Sequence, residues 1–241
     1  MNTALKVAIV ATAIFASSSA AAGPLSLFNT MEHRTESLEA IPQWQRALAK
    51  IQREQRGYQA CSGAARTCNS PEVRLWQTMV GQQQGKPQID QLDIVNRFIN
   101  KWRYRADDQN YGRSDYWASP AEFFSRSGDC EDYAIAKYVT LRQLGFSADQ
   151  LRLVVVKDTK RDLAHAVLAA YVDGDIYILD NLNNRVKPQA TITKYSPYYS
   201  INEKARWAHA VQPASTEVAA VTKMDPPAQG PVSAKSLFPK R

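Results

Sequence analysis

Gly128-Asp129-Cys130-Glu131-Asp132 sets one thiol among three carboxylates within five residues. Asp129 is a good helix N-cap and Gly145 a good stop after Leu144. The pattern therefore predicts a buried helix over residues 130–144, with Lys137, Arg142 and Gln143 as its few wet positions. A cysteine in the first helical turn is where a thiol becomes reactive. Unpaired amides and the positive end of the helix dipole stabilise a thiolate, lowering its pKa from ~8.5 into the range ~3.5–7.5. The same amides can hold an oxyanion. Asp129, Glu131 and Asp132 oppose this, because negative charge beside Cys130 disfavours a second anion. A cation among them resolves the conflict, and crowded hard oxygen ligands suit calcium. The plainer reading makes Asp129 and Asp132 capping residues and Glu131 a carboxylate favoured by the dipole.

A nucleophilic thiol needs a base, and the period-two part of the chain offers one. Residues 151–156 read as a strand, and residues 164–172 and 175–180 read as a pair joined at Asp173-Gly174, a two-residue hairpin signal. If Val172 faces Asp175, then Val167 faces Asp180, and His165 shares that face two positions further along. Diagonal neighbours lie about 7–8 Å apart at the backbone, within reach of an imidazole and a carboxylate. A three-residue turn would reverse the parity and separate them. Cys130 as nucleophile, His165 as base and Asp180 as its orienter make a constellation for thiol acyl transfer. The bland alternative is a structural Cys130, a core His165 among alanines and an Asp180 closing a turn with Asn181. His33 and His209 lack a comparable setting.

The elements that must position these groups precede them. Leu38, Ile41, Trp44, Leu48 and Ile51 fall on one helical stripe, Val73, Trp76, Met79 and Val80 on a second, and Ile89, Leu92, Val95, Phe98, Ile99 and Trp102 on a third. A polar, aromatic loop follows. Ser119-Pro120-Ala121-Glu122 then spells a capping box with proline at the first helical position, leading through Phe123 and Phe124 to Cys130. Tyr116 and Trp117 either wall a cleft or fold back onto the core, and Asp115 is a possible further metal ligand. Beyond Asp180, residues 191–211 read as more strands, and the Pro-rich stretch from 212 as a disordered tail. No internal repeat is visible.

With 241 residues, 44% of them hydrophobic, the chain can bury one sizeable core. Lys6, an apolar run over residues 7–16 and Ala20-Ala21-Ala22 before Gly23 form an export leader, so the expected organisation is a signal peptide at 1–22, an N-terminal helical region at 23–88, a core at 89–211 and the tail at 212–241. The run is too short for a comfortable membrane span; a retained anchor is the lesser alternative. Export favours a bridge between Cys61 and Cys68, with free surface thiols as the lesser alternative, and leaves Cys130 odd. The net charge of +7 falls to +6 without Lys6 and is scattered, which gives nucleic-acid binding little support.

Gly128-Asp-Cys-Glu-Asp-Tyr-Ala-Ile-Ala-Lys137, Leu163-Ala-His165-Ala-Val-Leu168 and Leu179-Asp180-Asn181 resemble the motifs of the bacterial transglutaminase-like cysteine proteinases, whose known members are the LapG-type periplasmic proteases. The stretch from Tyr116 to Phe123 resembles that family's approach to its cysteine. The resemblance implies an α+β, papain-like fold with the cysteine helix packed on an antiparallel sheet. It implies a calcium-dependent periplasmic endoprotease that cuts a large surface adhesin near its N-terminus at a pair of alanines, releasing it and dispersing biofilm. It also implies an inner-membrane cyclic di-GMP receptor that sequesters the protease. By position the triad is Cys130, His165 and Asp180, and the calcium ligands are Asp129 and Glu131 with Asp132. Two other classes remain open: a transglutaminase or amidase sharing nucleophile and base, and an idle binding module that uses the cleft to hold a partner.

Overall fold

The computed structural model describes residues 26–62 and 68–211, so the expected leader and tail lie outside the described residues. After one short strand, Thr30–Thr35, inside the region expected to be helical, the helices follow in sequence: α1 (Pro42–Ala60), α2 (Pro71–Gln83), α3 (Gln88–Ile99), α4 (Asp107–Tyr111), α5 (Pro120–Arg126) and α6 (Cys130–Gln143). The three apolar stripes seed α1, α2 and α3, with proline at the first turn of α1 and α2 where its missing N–H costs nothing. The capping box of α5 is present in both halves: the Glu122 amide donates to Ser119 Oγ at 3.4 Å and the Ser119 amide to Glu122 Oε2 at 3.0 Å. A disulfide joins Cys61 to Cys68 and ties the end of α1 to the approach to α2.

Seven strands form one wholly antiparallel sheet. They are β1 (Thr30–Thr35), β2 (Leu151–Asp158), β3 (Leu163–Val172), β4 (Asp175–Asp180), β5 (Asn183–Pro188), β6 (Tyr195–Ile201) and β7 (Arg206–Val211), in the spatial order β1-β7-β6-β2-β3-β4-β5. Val172 pairs with Asp175 and Leu168 with Leu179, which is the two-residue hairpin register. Asp173 and Gly174 both have positive φ, 49° and 77°, the geometry such a turn requires and the reason glycine sits there.

The sheet is buried on both faces. Leu153, Val155, Leu168, Ala170 and Leu179 pack with the helices, while Val154, Val156, Val167, Ala169 and Ile178 form a second cluster with Leu27 and Tyr195. Helix α6 lies in the middle of the first cluster and is buried on nearly every side, from Cys130 to Leu141. Lys137 is therefore not a wet position: it is 1% exposed, and burial, partly offset by the nearby Asp180 charge, brings its pKa down to about 7. Only Arg142 and Gln143 of the three expected wet residues reach solvent. Among the described residues, no helix is long and apolar enough to cross a membrane.

Candidate active site

Cys130 occupies the first turn of α6, held there by reciprocal contacts around Asp132. The Asp129 amide donates to Asp132 Oδ2 at 3.3 Å and the Ala118 amide to Asp132 Oδ1 at 2.6 Å. Gly128 makes this possible, because a Cβ at that position would stand 2.1 Å from Asp132 Oδ2 and 2.6 Å from Asp132 Cβ. The Gly128 carbonyl accepts the Arg105 amide at 2.9 Å, which docks the strand-like loop after α3 against the approach to the cysteine. Cys130 is the free cysteine of the chain and is buried, its thiol donating to Glu131 Oε2 at 3.2 Å.

The imidazole arrives from β3. His165 Nε2 lies 2.9 Å from Asp180 Oδ1, as the hairpin register requires. Asp180 is held on both oxygens: the Leu182 amide reaches Oδ1 at 2.9 Å and the Tyr195 hydroxyl reaches Oδ2 at 2.6 Å. Its backbone carbonyl accepts Asn100 Nδ2 at 2.9 Å. Burial opposes ionisation of Asp180, but the His165, Tyr195 and Leu182 hydrogen bonds outweigh it and hold its pKa below the usual carboxylate range. The Tyr195 ring also flanks His165, with centroids 5.7 Å apart. With Nε2 committed to the carboxylate, Nδ1 is the nitrogen left to act as base. Cys130 and His165 line one cavity of about 660 Å³, together with Trp102, Asp107, Asp129 and Leu163.

The carboxylates around the thiol form a second arrangement. Asp107, Asp129 and Glu131 each offer one oxygen such that the three lie within 4.8 Å of one another, and all three residues are buried. Each also leaves a buried oxygen with no hydrogen-bond partner: Asp107 Oδ1, Asp129 Oδ1 and Glu131 Oε1. Burial is the main cause of their upward pKa shifts, to about 6 for Asp107 and about 8 for Glu131; nearby carboxylates add to it, Asp115 and Asp108 for Asp107 and Asp132 and Asp107 for Glu131, and Asp129 is raised well above its ordinary value by burial and then by Glu131. The Cys130 thiol is pushed up by burial, then by the charges of Glu131 and Asp129. Three buried carboxylates, each with an orphaned hard oxygen, fit a hard divalent cation. Asp132 is engaged differently, since both its oxygens accept backbone amides at the start of α6. Asp115 accepts Gln43 Nε2 at 2.6 Å and Trp117 Nε1 at 2.8 Å, which places Trp117 in the core rather than on a cleft wall.

Asp107 and Tyr195 are the site residues that the linear pattern does not single out. Asp107 opens the short helix α4 within a stretch that shows no apolar period, and its sequence signal is only membership of an acidic pair, Asp107-Asp108. Tyr195 belongs to a strand that the pattern does find, but nothing local ties its hydroxyl to Asp180.

Residues 52–214 match the family described as bacterial transglutaminase-like cysteine proteinase, BTLCP, which is more than half of the chain. The chain belongs to the bacterial transglutaminase-like cysteine proteinases. Solved structures agree. LapG of Legionella pneumophila is 32% identical with a TM-score of 0.54, over 66% of this chain and 87% of that one. The calcium-bound form of the same Legionella protein is 30% identical, again with a TM-score of 0.54, over 72% of this chain and 93% of that one. An EGTA-treated form matches at 32% identity over 66% and 84% of the two chains, with a TM-score of 0.54. No curated protein matches the chain. Membership of the cysteine proteinases makes the chain a peptidase by family, with the mixed helical and antiparallel-sheet fold of LapG.

Proposed function

We propose that this cysteine proteinase is a calcium-dependent periplasmic endoprotease. It cuts the N-terminal region of a large surface adhesin at a pair of alanines, releasing the adhesin and dispersing biofilm, and an inner-membrane receptor sequesters it when cyclic di-GMP is high. The observation that carries the reading is the shared cavity, where a thiol at a helix N-terminus and an imidazole braced by a carboxylate both reach the same space. The calcium-bound and EGTA-treated forms of LapG support the cofactor, and the leader read at residues 1–22 supports the compartment.

The chemistry follows from the residues. His165 Nδ1 takes the proton from Cys130 Sγ, the sulfur attacks the scissile carbonyl, and amides at the start of α6 stabilise the oxyanion. As the C–N bond breaks, the imidazolium returns its proton to the leaving amine, and water then hydrolyses the thioester with His165 again as base. Asp180 orients the ring through Nε2 and stabilises its charged form, and Tyr195 and Leu182 keep Asp180 ionised. Asp107, Asp129 and Glu131 are the proposed ligands of calcium. Calcium there supplies positive charge that neutralises the carboxylates opposing a thiolate at Cys130. Asp132 holds the helix start in place.

The test is incubation of the purified protein with the N-terminal segment of a candidate adhesin from the same genome, with and without EGTA, read by mass spectrometry. A clipped backbone that requires calcium and is absent with Cys130→Ala is the expected result. A Gln-Lys crosslink in place of a cut would move the assignment to a transglutaminase, and cleavage by Cys130→Ala would remove the nucleophile.

A further inference from the structure

Helix α4 and the loop after it, residues 107–116, border two cavities. Asp107 and Asp115 border the one that holds Cys130, whereas Tyr111, Arg113 and Tyr116 line a second, of about 520 Å³, completed by Lys50, Glu122 and Arg126. Its floor is a stacked pair: the rings of Tyr111 and Tyr116 lie 4.1 Å apart at an interplanar angle of 27°. Each ring carries a guanidinium, Arg46 at 4.5 Å from the Tyr116 centroid and Arg126 at 5.9 Å from that of Tyr111. Glu122, the acid in this lining, is already engaged by Lys50 Nζ at 2.7 Å, the Tyr116 hydroxyl at 2.8 Å and the Ser119 amide at 3.0 Å. Among the described residues no carboxylate forms an ion pair with Arg46, Arg113 or Arg126. All three are exposed.

A guanidinium over an aromatic face still has N–H groups free for an acceptor, and the contact, closest at Arg46, reduces the freedom that an exposed side chain loses on binding. Those edges match carboxylates, two parallel hydrogen bonds at a time. An ordinary solvated basic face has neither the stacked floor nor the concavity. The geometry points to an exosite for an acidic peptide segment, a run of aspartates and glutamates in the protein substrate that lies beside the cleaved stretch. Residues of the 107–116 segment border both this hollow and the cavity of Cys130. The assignment to substrate deepens the proteolytic reading and rests on it, whereas the binding of an acidic peptide does not.

The experiment uses the full chain carrying Cys130→Ala, so that binding is read without cleavage, and a fluorescein-labelled octaglutamate peptide followed by anisotropy. The expected result is saturable, salt-sensitive binding that weakens about tenfold with Arg113→Glu and Arg126→Glu together. Arg34→Glu and Lys204→Glu, the same charge change on remote surfaces, should leave it within about twofold. Arg113→Lys with Arg126→Lys, which keeps the charge and loses the planar fork, should fall between the two, and melting temperatures should stay at the parent value throughout. The inference is overturned if the remote pair weakens binding as much as the local pair, if the peptide does not bind, or if only phosphatidylglycerol vesicles do. None of these outcomes touches the cleavage assay, so the exosite and the proteolytic reading fail separately.

Discussion

His165 Nε2 lies 2.9 Å from Asp180 Oδ1, and the other carboxylate oxygen is 2.6 Å from the Tyr195 hydroxyl. The imidazole is thus fixed through a carboxylate that is itself fixed, and the tautomer with Nδ1 free is the one this bonding selects. Asp180→Asn keeps the shape and removes the selection. Its kcat for adhesin-segment cleavage should drop on the order of 10³-fold or more, while Tyr195→Phe, which loosens the brace only, should lose about tenfold. Equal losses would mean that Tyr195 acts on more than Asp180.

Calcium held by the proposed ligands Asp107, Asp129 and Glu131, each of which leaves a buried oxygen without a partner, would couple metal binding to stability. Calcium at about a hundred times its dissociation constant should stabilise the fold by about 2.7 kcal/mol, seen as a higher melting temperature that EGTA reverses. Asp107→Asn should abolish most of that increase. Asp132→Asn should instead lower the melting temperature with or without calcium, because its oxygens hold amides at the start of α6.

His209 predicts an acid limit to stability. Its Nδ1 is 2.7 Å from Thr30 Oγ1 and its Nε2 is 2.8 Å from Ser200 Oγ, which joins β1, β7 and β6. Burial, with a smaller contribution from Arg152 and against the pull of Glu32, lowers its pKa to about 4. The folded state therefore binds its proton more weakly than the unfolded chain, whose value is about 6.5. The contribution is complete above that value and is lost as pH falls toward the folded one. Urea midpoints of the parent should fall across this window, and those of His209→Gln should fall less; parallel curves would reject the assignment.

Gly128→Ala tests the close approach at the helix start. The added methyl would overlap Asp132 at 2.1 Å and 2.6 Å, and the second contact is with Cβ, which has no freedom to swing away. The expected cost is about 1–3 kcal/mol in urea denaturation, with loss of cleavage because Cys130 moves with the turn.

The parts of this structure set by local chemistry were readable from the chain. Asp173-Gly174 dictates a two-residue turn, the turn dictates parity, and parity brings His165 to Asp180. The capping box at Ser119 and the start of α6 follow equally from short-range hydrogen bonding. What was not readable depends on distant partners. Thr30–Thr35 is polar and carries no strand period, and it is a strand because β7, which lies far later in the sequence, offers it a free edge. Asn183–Pro188 is likewise too polar to stand out as an edge strand. Lys137 looked solvated because lysine usually is, whereas α6 is enclosed by sheet and helices together. Asp107 joins Asp129 and Glu131 only through the path of a loop with no repeating pattern.

The pairing of Thr30–Thr35 with Arg206–Val211 has a consequence for biogenesis. A ribosome delivers the first of these segments long before the second, so the early segment has no strand neighbour until Arg206–Val211 has been made. Tyr195, which steadies the acid behind the imidazole, also emerges late. A nascent or prematurely terminated chain therefore carries its cysteine before the residues that brace His165 and Asp180 exist, and the order of translation itself delays assembly of the site until Tyr195 and β7 have emerged.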